Sequence, residues 1–157
     1  MASLFDQAWE ARDEGNSKKA FRLFYKAVQQ GDSGCYLNLG YCYDEGIGTE
    51  KNVRKAIYWY KRAGKNGNSS GYNNIAVYYA SIGKFEQAKR WYLRAFKKGN
   101  KSVALNLAKL GIDGKVNFPR EKILRYLQIV IDAEYMVEVC EADQEEAELL
   151  LAKLSEQ

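Results

Sequence analysis

Histidine is absent from this chain of 157 residues. That removes the commonest general base, the commonest metal ligand and every Ser-His or Cys-His nucleophile pair. Proline occurs once, at Pro119, which suits long helices and argues against a turn-rich β fold. Long apolar runs are missing too. The longest, Ile75 to Ala80, has six residues, against the roughly 20 of a spanning helix. The opening Met-Ala-Ser-Leu-Phe-Asp lacks a basic segment followed by an apolar one, so neither a membrane span nor a secretory leader is expected.

Cysteine is scarce, with Cys35, Cys42 and Cys140 alone. On one helix the first two lie about 10 Å apart along the axis, too far for a bridge whose Cα atoms must approach within about 7 Å. No Cys-x-x-Cys spacing supports a zinc site, and no cofactor is expected. Buried thiols in a reducing, cytoplasmic compartment are the plain reading.

What is present is a folded composition, 46% apolar and 28% charged, with a net charge of +4. It is also repetitive. Three segments align without gaps: KKAFRLFYKAVQQGD (18–32), RKAIYWYKRAGKNGN (54–68) and EQAKRWYLRAFKKGN (86–100). Ala20, Ala56 and Ala88 occupy one column; Leu23, Trp59 and Trp91 the next; then come Phe24, Tyr60 and Tyr92, followed by Ala27, Ala63 and Ala95. Offsets of 0, 3, 4 and 7 place these columns on one helical stripe. Gly31, Gly67 and Gly99 then stop the helix, and Asp32, Asn68 and Asn100 are placed to cap the next one.

Ahead of each segment lies a second helical pattern centred on a small residue, Ala8, Gly40 or Ala76, with a fourth at Ala108. Asn38, Asn74 and Asn106 recur two residues before it and read as structural. Beyond Pro119, Ile123, Tyr126, Leu127 and Val130 take up the same offsets. Small residues let paired helix axes approach, and one hairpin cannot bury its own apolar face, so the units must stack. The expected architecture is all-α: four helix hairpins in a row over about 2–32, 33–68, 69–100 and 101–134. Residues 135–157 then form an acidic capping helix with Ala142, Glu145, Glu146, Leu149, Leu150 and Lys153 on its narrow stripe. Its rival reading is a dimerisation helix.

Two spacings distinguish the units. From Ala8 to Ala20, and from Ala76 to Ala88, the gap is 12 residues, and this resembles a tetratricopeptide repeat. From Gly40 to Ala56 it is 16, and LGYCYDEGIGTEKNVRKAIYWYKRAGKNGN looks like the repeat of the Sel-1-like family. The resemblance covers residues 2 to about 133 and implies a right-handed α-solenoid whose first helices line a concave, protein-binding face. Carried onto this chain, that face consists of Phe5, Trp9, Arg12 and Asp13; Leu37, Tyr41, Asp44 and Glu45; Asn73, Val77, Ala80 and Ser81; and Leu105 and Lys109. Aromatic anchors with charged neighbours suit a protein contact surface. Ordinary packing between repeats is the rival, less favoured reading of Trp9 and Tyr41. The tetratricopeptide clamp for a C-terminal carboxylate is disfavoured, because Arg12, Asn73 and Lys109 do not fall together in its places.

Charge is unevenly spread. Residues 84–125 hold 12 Lys or Arg against Glu86, Asp113 and Glu121, a net +9, whereas residues 132–157 carry a net −8. The cluster Lys89, Arg90, Arg94, Lys97, Lys98 and Lys101 could hold phosphates, although a solvated face or pairing with the acidic cap explains it more simply. Gly46-Ile47-Gly48-Thr49 lacks the strand and the Gly-Lys-Ser/Thr ending of a phosphate loop. With no carboxylate pair standing out, neither an enzyme nor a small-molecule substrate is expected. The reading is a non-catalytic module that docks another protein: most specifically a small cytoplasmic immunity protein neutralising a toxin domain, alternatively an adaptor or scaffold in signalling or assembly. A nucleic-acid-associated role through residues 84–125 is a minor third.

Overall fold

The structure, a computed structural model, describes residues 2–133 and 139–156. Among these are nine α-helices and one short 3₁₀ turn. The chain forms two compact units, residues 1–71 and 72–157.

The first unit contains α1 (Leu4–Asp13), α2 (Ser17–Gln29), a 3₁₀ turn (Ser33–Cys35), α3 (Tyr36–Glu45) and α4 (Val53–Lys65). Side chains start the helices. Ser3 and Asp6 form a reciprocal capping box on α1, while Asn16 and Asn52 accept from the Lys19 and Lys55 amides at the starts of α2 and α4. Gly31 and Gly67 end α2 and α4 with φ near +92° and +93°, as their column predicts. Asp32 then accepts from the Gly34 amide and Asn68 from the Ser70 amide.

α1 and α2 form a hairpin, as do α3 and α4. Ala8, Ala11, Ala20, Phe24, Ala27, Cys35, Leu39 and Cys42 form the core. Leu39, fully buried, contributes about 2 kcal/mol of burial free energy. Gly40 lies against the Tyr60 ring, so the small residue at the centre of α3 is what lets α4 approach. In the glycine loop, Gly46 and Gly48 both take left-handed angles. A side chain at Gly48 would collide with the Ser17 carbonyl, so this loop is packed against α2 and its second glycine is explained by that close approach.

The second unit holds most of α5 (Ser70–Ser81) with α6 (Phe85–Lys97), α7 (Val103–Ile112), α8 (Arg120–Ile131) and α9 (Glu141–Ser155). Its core gathers Ala76, Ala88, Tyr92, Ala95, Leu107, Ala108 and the expected stripe Ile123, Tyr126, Leu127 and Val130. Pro119 sits just outside α8, at its N-cap.

The final helix packs on α8, but through a different stripe from the one expected. Ala147 is fully buried and Leu150, Leu151 and Leu154 pack around it, whereas Leu149 is 56% exposed. Three consecutive leucines allow two registers at the 0, 3, 4, 7 offsets, and the small Ala147 selects the one that brings the backbone closest. The Gln144 side-chain amide donates to the carbonyls of Val130, Ile131 and Ala133, satisfying the end of α8. The junction expected at 134/135 lies outside the described residues.

Candidate functional site

On the first unit, four expected residues are joined directly. Phe5 and Trp9 stand one turn apart on α1 with ring centroids 6.1 Å apart, and both meet Phe24 of α2 edge-on, at 6.2 and 6.0 Å. The Arg12 guanidinium lies over Trp9 at 4.7 Å and over Tyr41 of α3 at 5.6 Å. One cation thus ties α1 to α3 and keeps both rings at the surface. Tyr41 is 39% exposed, and Asp13 and Glu45 are exposed nearby in sequence at the ends of α1 and α3. Leu37 is half-buried. Asp44 has a structural task, since its carboxylate accepts from the Tyr60 hydroxyl at 3.2 Å.

A shallow depression beside Trp9 is lined by Ala2, Asp6, Glu10, Asp13 and Glu14. Only Asp13 of these acids was among the expected residues. The others were legible as an acidic row, since Asp6, Glu10, Asp13 and Glu14 follow offsets of 0, 4, 7 and 8 along α1 and its C-cap.

On the second unit the expected residues are scattered. Val77 is 49% exposed, but Ala80 packs against the core and the Ser81 hydroxyl donates to the Tyr78 carbonyl. The Asn73 side-chain oxygen is buried without a hydrogen-bond partner. Leu105 is only 4% exposed, within the same buried cluster as Ala147 of α9, and so lines no surface. Lys109 pairs with Glu146 of α9 at 2.6 Å. α9 therefore engages one of the cations expected to face a partner.

A cleft of about 230 Å³ opens instead between α5 and α6, lined by Tyr79, Gln87, Arg90, Trp91 and Arg94. Its signal in the sequence was a second stripe on α6, at Gln87, Arg90, Trp91 and Arg94, flanking the apolar one.

Reactive groups are not concentrated at either place. Burial raises the Cys35 thiol to about 12, with the Asp32 carboxylate adding to the effect. Burial likewise raises Cys42 to about 11, opposed by the Arg12 charge. Both thiols are protonated and inert at neutral pH. Among the described residues no group of three potential metal ligands comes together, and no helix is long and apolar enough to cross a membrane.

Comparison with known proteins gives a consistent family. Over 51 residues, 32% of this chain, it is 41% identical to a sel1-like repeat-containing protein of Acanthamoeba polyphaga mimivirus, of which it covers 10%. Over 64 residues it is 28% identical to the rat (Rattus norvegicus) protein named DAP3-binding cell death enhancer 1, of which it covers 13%. The chain thus spans only about a tenth of the length of these curated relatives. Among solved structures, a Sel1 repeat protein from Oxalobacter formigenes superposes over 96% of this chain and 72% of its own, with a TM-score of 0.71 at 19% identity. A protective antigen of uropathogenic Escherichia coli with an SLR fold superposes over 80% of this chain and 29% of its own, with a TM-score of 0.66 at 23% identity. These likenesses establish the α-solenoid fold. The Sel1 repeat family model matches residues 13–32, 33–68 and 71–100, more than half of the sequence, and the chain is a member of the Sel1 repeat family.

Proposed function

We propose that this protein is a non-catalytic docking module, and that the α1–α3 face of its first unit receives a partner protein. The Sel1 repeat fold supports a protein-interaction module in general. The observation that carries the particular face is Arg12, held over Trp9 and Tyr41 together. It pre-organises an aromatic surface edged by acids, so little conformational entropy is lost on the receptor side when a partner docks. In this reading Trp9, Arg12 and Tyr41 are the anchors, Phe5 and Leu37 support them, and Asp13 and Glu45 form the charged rim.

In its most specific form the partner is a toxin domain and the protein a cytoplasmic immunity protein. Support comes from the acidic row on α1, which complements a basic cleft such as that of a nuclease. The buried, protonated Cys35 and Cys42 suit a reducing compartment. A second reading, an adaptor, is favoured by the matched rodent relatives, whose name describes DAP3 binding.

The test is to reverse Asp13 and Glu45 to lysine and measure partner affinity across a salt series. Binding through this face requires at least about tenfold weaker affinity and a flatter salt dependence. Unchanged affinity would sink the assignment of this face.

A further inference from the structure

Repeats two and three contain the same structural corner with one telling exchange. In repeat two, Arg62 lies over Tyr36, Trp59 and Tyr58 at 4.4, 5.4 and 5.9 Å. It donates to the Tyr36 hydroxyl at 2.7 Å and the Tyr58 hydroxyl at 3.2 Å, so its guanidinium is satisfied within the protein. The 54–68 and 86–100 segments align without gaps, which makes Arg94 the counterpart of Arg62, Trp91 of Trp59, and Arg90 of Tyr58.

The stacking survives in repeat three. Arg94 lies over Trp91 at 4.3 Å, and Trp91 packs on Tyr72 at 5.6 Å. One of the two acceptors does not survive, because where repeat two has the Tyr58 hydroxyl, repeat three has a second guanidinium, while Tyr72, the counterpart of Tyr36, packs on Trp91. Among the described residues neither Arg90 nor Arg94 has a hydrogen-bond acceptor or a carboxylate partner. Like charges one turn apart are unfavourable unless something negative joins them. Both arginines are exposed and line the 230 Å³ cleft with Tyr79 and Gln87.

We propose that this cleft is a second recognition site, at which Arg90 and Arg94 grip the side-chain carboxylates of an acidic segment on a partner protein. The proposal rests on the protein-docking reading above. The guanidinium fork matches a carboxylate bidentately, and Arg94 is already oriented by its stack on Trp91, which lowers the ordering cost. A 230 Å³ cleft falls below the roughly 300–1,000 Å³ of small-molecule sites, yet admits side-chain head groups. Stacking of a nucleic-acid base is disfavoured because Arg94 occupies a face of Trp91. Attraction over longer range comes from α6 itself, whose Lys89, Arg90, Arg94 and Lys97 face a single acid, Glu86, already paired with Lys89 at 2.5 Å.

The experiment titrates the full chain with end-blocked hexaglutamate at low salt and follows the three tryptophan indole resonances by NMR. The Trp91 resonance should shift saturably while those of Trp9 and Trp59 stay still. Arg90→Tyr, which restores the repeat-two arrangement, should weaken binding about tenfold, as should the gentler Arg90→Gln. The reciprocal Tyr58→Arg should bring the Trp59 resonance into play. No saturable shift at Trp91, or equal affinity in both folded Arg90 variants, overturns the proposal. So does tighter binding of an oligothymidylate of matched charge, which would assign the cleft to nucleic acid. A partner captured by Arg90→Tyr but lost on reversing Asp13 and Glu45 would overturn this cleft and leave the docking reading standing. The opposite pattern would overturn the α1–α3 face instead.

Discussion

Gly40 and Tyr60 show how much of this fold is decided by single side chains. A Cβ on Gly40 would run into the Tyr60 ring, and Tyr60 cannot yield, being 2% exposed and tethered through its hydroxyl to Asp44. Gly40→Ala gains up to about 1 kcal/mol of helix propensity but incurs an overpacking cost of about 1–3 kcal/mol. The overpacking wins, so a thermal melt should show Tm lowered by several degrees; a raised Tm would show that α3 and α4 do not pack this closely. Thiol chemistry gives a second check at this scale. Cys35 and Cys42 are buried and raised to about 12 and 11, whereas Cys140 is exposed. A thiol-disulfide reagent at pH 8 should therefore modify one cysteine in the native protein and three in denaturant.

At the scale of elements, α9 is held by features that differ in how openly the sequence displays them. Gln144 closes the end of α8 by donating to three carbonyls, and Gln144→Ala should lower stability by about 1–2 kcal/mol in a urea titration. Ala147→Glu should cost more, because a charge would enter a fully buried site. The second helices of the repeats were legible because alanine, aromatic and glycine columns recur at fixed offsets, and the glycines adopt the left-handed angles that such a column implies. The stripe of α9 was not, since Leu149, Leu150 and Leu151 fit two registers and only tertiary contact selects between them. Leu105 was misplaced for a related reason. Family resemblance assigns its position to an open face, whereas here it joins the buried cluster that contains Ala147. Trp9, Arg12 and Tyr41 were each legible as positions, but the bridging of two rings by one guanidinium depends on χ angles that no spacing encodes.

For the whole molecule, alkaline conditions probe the two cores together. Burial raises Cys35, Cys42, Tyr43, Tyr92 and Tyr126 above their ordinary values of 9.0 for the thiols and 10.0 for the phenols. A raised folded value means that the unfolded chain loses its protons first. The stabilisation is therefore complete below about pH 9 and declines from there towards pH 12, so Tm should fall steadily over that interval. The proposed docking of a partner on the α1–α3 face also belongs to this scale. Its most direct test is quantitative partner capture by the full chain and by the Tyr41→Ser, Asp13→Lys, Glu45→Lys triple variant. All three positions are exposed and the variant gives up only the Arg12–Tyr41 contact, so it should keep its helical circular dichroism, with Tm lowered by no more than a few degrees. A single protein, held tightly by the parent, should be lost from the triple variant. Retention of that protein at undiminished affinity would contradict docking on the α1–α3 face.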